Sequence, residues 1–423
     1  MTTLISSEKI YKKLQKQYSR NINLDLKRIN LALEKLGNVH KTINNPINII
    51  GSDGKYSTLK SLQYLIQANN QKISTFTSPH LYDVRHRFWL KNKFISINEM
   101  KKNIKIIKKL KVKLTLFELL CLIYYISASK LKNVSYALVE AGLLYAKDST
   151  RVWKNPKLQI ITHINKQHLE WVKPKNLKTI CQQKVGYLSK KTKIYIGRQE
   201  RKTLKIIKKI LKKNPSKKIF YGSGWTLKKL GNKRIYRDKK GKLIIESKKI
   251  LSDGIWQNVG LAIRVARDLN ISNKTIIKTI PKISFEGRLQ YINKGKIRKF
   301  LNSQEKLLID GCHSESSAKN LASYLKTLNS DIYGIWGMQK NKQPEIFIKP
   351  FIRIFKKIIT VKIPGEVSSC NPKKLKKIAN DCGMKCDIAP NFKNAFNQIS
   401  DKKPKVIVVF GSLYLVGKIL SLN

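Results

Sequence analysis

The sequence predicts an α/β protein: a phosphate-binding parallel-sheet domain followed by a smaller α/β domain. Three observations carry that expectation. First, the apolar run Ile47-Asn48-Ile49-Ile50 leads through Gly51, Ser52, Asp53, Gly54 and Lys55 into a stretch with apolar residues at Leu59, Leu62 and Leu65, which reads as strand, glycine turn and helix. Second, strand-like apolar runs alternate with amphipathic helical runs through most of the chain, the pattern of βαβ units with helices on both sheet faces. Third, a new series of such units begins after residue 284.

In the opening element, a glycine turn that joins a strand to a helix wraps backbone N–H groups around a polyphosphate. A lysine then reaches the terminal phosphates and a hydroxyl meets the magnesium ion. The spacing here is G-x-x-G-K-x-S, shorter than the usual G-x-x-x-x-G-K-S/T. There follow ISTF, FELLCLIYYISA, SYALVEAG and LQIITHIN. The second of these carries Glu118 and is too short to span a bilayer. Residues 185–250 differ, with KIYIG, KIFYG, RIYRD and KLIIES as small strands between lysine-rich turns and a helix near 199–212. A helix at 255–269 precedes FEGRLQYI, where a boundary near 284–288 is expected. Beyond it come LLIDGC, AKNLASYLKTL, IYGIWG, KIITVKI, KKLKKIANDCG and KVIVVFG.

The chain holds 87 Lys and Arg against 25 Asp and Glu, a formal charge of +62. Such a field draws polyanions of any kind. Yet the lysines are spread over the whole chain in company with Ile, Asn and Tyr, as an AT-rich genome supplies them, and no RNA-recognition pattern, zinc knuckle or arginine-rich arm accompanies them. No specific nucleic acid or membrane partner is therefore expected. The first residues, MTTLISSEKIYKKLQ, lack a secretory apolar core, and the six cysteines are scattered without paired zinc spacing. Both features point to a cytoplasmic protein with reduced thiols.

Several stretches resemble, in order, the motifs of the folylpolyglutamate synthase and dihydrofolate synthase family within the Mur ligase superfamily. GSDGKYS resembles the family's phosphate loop G-T-N-G-K-G-S, and TFTSPHLYDVRHRF its F-T-S-P-H-L segment. VEAGLLYAKDSTRVW resembles the segment opened by a metal-binding glutamate, ITHINKQHLEWV the one ending in Asp-His, and QQKVGYL the one bearing a carbamylated lysine. FEGRLQ, LIDGCHSES and VVFGSLYLVGKIL are similar to P-G-R-L, D-G-A-H-N-P and F-G-S-L-Y-L-V-G. The resemblance implies a Mur-ligase-like P-loop ATPase domain, residues 1–284, and a smaller Rossmann-like C-terminal domain, residues 285–423. It implies an ATP-dependent ligase, working as a monomer, that adds L-glutamate to dihydropteroate or folate through an acyl phosphate.

By the same resemblance, Gly51, Ser52, Asp53, Gly54, Lys55, Tyr56, Ser57 and Thr58 would cradle ATP. Lys55 would stabilise the charge that builds during transfer. Two Mg2+ sites are implied, with Ser57 and Ser78 on the first, and Glu140 and His168 on the second. Lys184, if carbamylated, would support the second metal. In the C-terminal domain Arg288 would meet ATP phosphates, Asp310 the ribose or phosphate side, and His313 the region of the γ-phosphate and glutamate. Lys342 follows a G-M-x-x-x-K pattern and reads equally as a binding lysine or a solvated one.

The departures are specific. Tyr56 replaces a glycine, Asp53 an asparagine, and Gln167 the aspartate of Asp-His. After Gly142, Leu144, Tyr145 and Ala146 replace a glycine pair and an arginine, while Asp148 and Thr150 remain. Trp256 replaces a histidine, Gly260 an asparagine and Gln343 an aspartate. A working synthase, a relative with a shifted substrate and a catalytically decayed homologue all fit that pattern, with a polycationic RNA-binding protein on the same fold as the alternative from another class.

Overall fold

Short apolar segments bounded by Gly, Pro and Asn form strands here because both faces of the sheets they build are covered, so no polar alternation is required of them. The computed structural model describes residues 2–19, 23–401 and 403–422. It divides into two units. One runs through Lys249 and includes Ile255–Ile283; the other comprises Ile250–Gly254 and the chain from Ser284.

The first unit is built on strands β1 (Pro46–Ile50), β2 (Ile73–Phe76), β3 (Phe88–Lys91), β4 (Lys93–Phe94), β5 (Tyr136–Glu140), β6 (Leu158–Ile161), β7 (Lys193–Ile196) and β8 (Lys218–Phe220). They form one sheet in the order β4-β3-β2-β5-β1-β6-β7-β8. All pairings from β2 to β8 are parallel, whereas β3 and β4 add antiparallel at one edge. Every residue of β1 is buried. The β5–β1–β6 register sets Ile49 beside Glu140 and Ile50 beside Ile161, so the loops that leave these three strands emerge together. Sites in parallel α/β sheets collect at such ends.

The apolar run around Glu118 is the helix Leu116–Ala128, buried along most of its length. Its glutamate is not idle in that core. The carboxylate accepts from the Thr115 amide at 2.7 Å, closing a capping box, and pairs with Arg28 at 2.9 Å. Among the described residues no helix is long and apolar enough to cross a membrane.

Strands β9 (Trp225–Leu230), β10 (Lys233–Asp238) and β11 (Gly241–Ile245) make a separate antiparallel sheet. Of these, β9 is absent from the strands expected from sequence. It ends in Lys228-Lys229-Leu230, all exposed, and its alternation shows only once Trp225 and Leu227 are seen to face inward.

The second unit has strands β12 (Gln290–Ile292), β13 (Glu305–Asp310), β14 (Asp331–Trp336), β15 (Lys357–Thr360), β16 (Cys386–Ile388) and β17 (Lys405–Phe410), in the order β12-β13-β17-β14-β15-β16. All but the edge strand β12 run parallel. Trp336, Phe347, Phe351 and Phe410 pack together in its core. The α/β class with a P-loop parallel-sheet domain and a smaller α/β domain is thus the observed one.

Candidate functional site

Strand β1 ends at Ile50, and the next four residues turn the chain into the helix Lys55–Ala68. Gly51 has no alternative: a Cβ there would stand 1.9 Å from the Thr162 hydroxyl. Gly54 is required twice over, because its φ is +84° and a Cβ would lie 2.3 Å from Asn258 Oδ1. The Thr162 hydroxyl donates to the Asp53 carbonyl at 2.7 Å.

The loop's amides divide into two groups. Those of Ser52 and Asp53 both donate to the His163 carbonyl, at 2.8 and 3.1 Å. These two amides, at positions the sequence places in the phosphate cradle, are thus engaged with the loop after β6. The first amides of the helix Lys55–Ala68 have no intrahelical acceptor and lie at the positive end of the helix dipole. Lys55 folds over the loop, its Nζ donating to the carbonyls of Gly51 (3.3 Å) and Ser52 (3.2 Å). Tyr56 is half-buried in the first turn, Ser57 is buried with its Oγ 3.4 Å from Asn258 Nδ2, and Thr58 is fully buried.

Asp53 carries no bare charge toward the cradle. One carboxylate oxygen accepts from Asn165 Nδ2 at 2.6 Å and the other from Gln167 Nε2 at 3.0 Å.

The structure brings Ser78 and Glu140 together. Glu140 ends β5, is 4% exposed, and its carboxylate accepts the Ser78 amide at 3.2 Å. His80 is engaged in packing. It accepts from Arg87 Nε at 2.9 Å and meets Tyr11 edge-on, while burial, with Arg87 beside it, holds its imidazole well below the usual range. His168 stands at φ +65° just before the short turn Leu169–Trp171, with Nδ1 3.9 Å from the Glu170 carboxylate.

Lys184 is 1% exposed, and its Nζ donates to the carbonyls of Gly51 (2.8 Å) and Leu143 (3.0 Å). Burial, reinforced by the Lys55 charge, lowers its pKa from 10.5 to about 7. Burial therefore favours the uncharged amine over the ammonium.

The divergent 143–151 loop folds inward. Tyr145 is 1% exposed, its hydroxyl donating to Asn48 Oδ1 on β1 (3.0 Å) and accepting from Gln159 Nε2 on β6 (2.8 Å). Asp148 accepts from the Leu143 and Thr150 amides.

In the second unit, Asp310 is buried at the end of β13. Its oxygens accept the amides of Leu289 (2.8 Å) and Cys312 (2.7 Å), and burial raises its pKa against the opposing pull of Arg288. Arg288 donates to the Gly287 carbonyl at 3.1 Å. His313 Nδ1 lies 2.9 Å from the Gly311 carbonyl, at the entry to the helix Glu315–Leu325. Lys342 is half-buried in the loop before the helix Pro344–Ile348, its amide donating to the Gln339 carbonyl.

Among the described residues no three His, Cys, Asp or Glu side chains form a metal cage. The buried Glu140 carboxylate beside Ser78 is the kind of oxygen donor a hard cation takes, since Mg2+ is commonly held by one or two carboxylates together with substrate phosphates. Thr162, Asn165 and Asn258, which shape the loop, escape sequence reasoning because each meets it from a remote segment. Thr162 and Asn165 carry only the signal of lying in the ITHINKQH stretch.

Comparisons with known proteins bear on the family and the fold. Residues 49–276 match the Mur ligase middle domain, and residues 293–422 the dihydrofolate synthetase C-terminal domain. Dihydrofolate synthetase of Saccharomyces cerevisiae is 24% identical over 95% of this chain and 98% of its own. E. coli FolC in complex with DHPP and ADP superposes with a TM-score of 0.86 at 19% identity, covering 98% of this chain and 96% of that one. A bifunctional folylpolyglutamate synthase/dihydrofolate synthase with Mn, AMPPNP and L-glutamate bound gives 0.83 at 17% identity, covering 99% and 97%. With the middle-domain match alone spanning more than half of the sequence, the chain belongs to the folylpolyglutamate synthase and dihydrofolate synthase family of Mur ligases.

Proposed function

We propose that the chain is an ATP-dependent ligase that joins L-glutamate to dihydropteroate, folate or both through an acyl phosphate. The observation that carries the reading is the convergence on Gly51 of two lysines, Lys55 and Lys184, beside the C-terminal ends of β1, β5 and β6. In this reading residues 1–284 form the ATP-binding domain and 285–423 the glutamate-ligase domain. The protein acts as a cytoplasmic monomer on small molecules.

The helix amides that follow Gly54 and the Lys55 ammonium hold the polyphosphate and offset the charge that builds as the γ-phosphoryl moves to the acceptor carboxylate. Ser57 and Ser78 are the donors for one Mg2+, Glu140 and His168 for a second, the ions supplying neutralisation of phosphate charge. Lys184 in its unprotonated form attacks CO2; the N–C bond forms, one N–H proton leaves to water, and a carbamate carboxylate results where a neutral amine stood. Arg288, Asp310 and His313 are assigned to the nucleotide and glutamate side. The guanidinium of Arg288 suits phosphate oxygens, whereas Asp310, with both oxygens engaged by backbone amides, shapes the loop.

The test is phosphate release from MgATP by the purified chain with L-glutamate and either dihydropteroate or tetrahydrofolate, beside Lys55→Ala and Glu140→Ala. Release that requires both glutamate and a pterin acceptor, and vanishes in both variants, supports the ligase, and the preferred acceptor identifies the step. Absence of ATP binding and turnover, with RNA held under steep salt dependence, overturns it.

A further inference from the structure

The phosphate loop and the loop that follows β6 are zipped together along their length. The Ser52 and Asp53 amides donate to the His163 carbonyl, Thr162 Oγ1 donates to the Asp53 carbonyl, and the Asn165 amide donates to Ser52 Oγ at 3.2 Å. The side chain of Asp53 closes the far end, with Asn165 on one oxygen and Gln167 on the other. Gln167 is the immediate neighbour of His168, whose backbone is held in the left-handed region that a non-glycine residue adopts only when its surroundings impose it.

We propose that Asp53 is a positioning residue which, through Gln167, fixes His168 for divalent-metal binding beside the phosphate loop, and that in this chain the acid and the amide of that contact have exchanged places. The proposal rests on the ligase reading for the role of His168. In the family pattern, position 53 is an asparagine and position 167 an aspartate; here Asp53 faces Gln167. Either arrangement sets one carboxylate against one amide donor. Neither change alone conserves the contact. Two amides lose the charge-assisted bond, and two carboxylates at this separation repel. The departures at 53 and 167, which look like separate losses in the sequence, therefore form one compensated pair. The same geometry explains how a negative charge is tolerated in a phosphate loop: both of its oxygens are occupied by the 165–167 segment.

The test is a double-variant cycle on the full chain with Gln167→Glu, Asp53→Asn and the two combined. The readouts are Mn2+-dependent binding of a fluorescent ATP analogue, the metal concentration that half-saturates turnover, and the melting temperature. Gln167→Glu is expected to raise the half-saturating metal concentration about tenfold or more, and Asp53→Asn by a smaller factor. The combined variant should return to within about threefold of the parent, since contacting residues are non-additive. A scaffold role without metal positioning would lower the melting temperature and leave metal dependence unchanged, which overturns the proposal. So does a combined variant no better than Gln167→Glu. Because metal–nucleotide binding is read without amide formation, a parent that binds Mn2+ and nucleotide yet makes no amide overturns the ligase reading while the binding cycle still decides the contact. A parent that binds neither overturns both.

Discussion

Lys184 reaches across from the helix Leu177–Val185 to donate its Nζ to the Gly51 carbonyl at 2.8 Å, so a buried lysine and the first residue of the phosphate loop are held as one piece. A second bond from the same atom, to Leu143, ties in the loop that follows β5. The site thus depends on an ammonium that its burial makes costly.

That cost has a defined pH signature. The folded pKa of about 7 lies below the ordinary value of 10.5, so between these limits the unfolded chain binds more protons and stability rises with pH. The penalty is fully present below about pH 7 and is relieved as the pH rises toward 10. Lys184→Met should flatten this rise, at about 1.4 kcal/mol per pKa unit removed. Urea unfolding of both proteins at pH 7 and pH 9.5 measures the difference; parallel slopes would contradict the burial argument.

The proposed carbamylation of Lys184 has a direct readout. Incubation with 13C-bicarbonate near pH 8 should yield one carbamate carbon signal, absent in Lys184→Arg, and ligase turnover should rise with bicarbonate in the parent alone. Equal signals in both proteins would place the carbamate elsewhere.

Glu140→Gln keeps an oxygen for the Ser78 amide and replaces the other, with the charge, by an NH2 group of similar size. Melting should therefore change little, within about 1 kcal/mol. Turnover should fall roughly 100-fold or more if the carboxylate meets a divalent ion. Activity that survives the substitution would remove Glu140 from the metal site.

Gly51→Ala puts a methyl group 1.9 Å from the Thr162 hydroxyl. One of the two segments must move, at a cost of about 1–3 kcal/mol, and nucleotide affinity should fall with it. Calorimetric titration with ADP checks the second effect, thermal unfolding the first.

Tyr145→Phe removes the hydroxyl shared by Asn48 and Gln159. It leaves two buried amides each short of a partner, and about 1–3 kcal/mol of destabilisation is expected. An unaltered denaturation midpoint would mean that the inward fold of this loop does not depend on that hydroxyl.

The sequence by itself determined the backbone plan. Ile47–Ile50 is apolar throughout because a central parallel strand is buried on both faces, and Gly51 and Gly54 mark a turn that no Cβ can enter. Those are local properties, and local pattern reports them. The motif order likewise identified the family, along with the residues Lys55, Ser57, Ser78, Glu140, His168 and Lys184 proposed for the site. Edge strands such as β4 and β12 run only two and three residues, too few for a period to show. Only the tertiary structure decided what the site residues do to one another. Asp53 and Gln167 are 114 positions apart, so nothing in either neighbourhood discloses that one departure answers the other. Lys184 looks like any of the chain's many lysines until burial strips it of water and two carbonyls accept hydrogen bonds from its Nζ. Charge state and partnership are set by distance and desolvation, and these exist only once remote segments have packed.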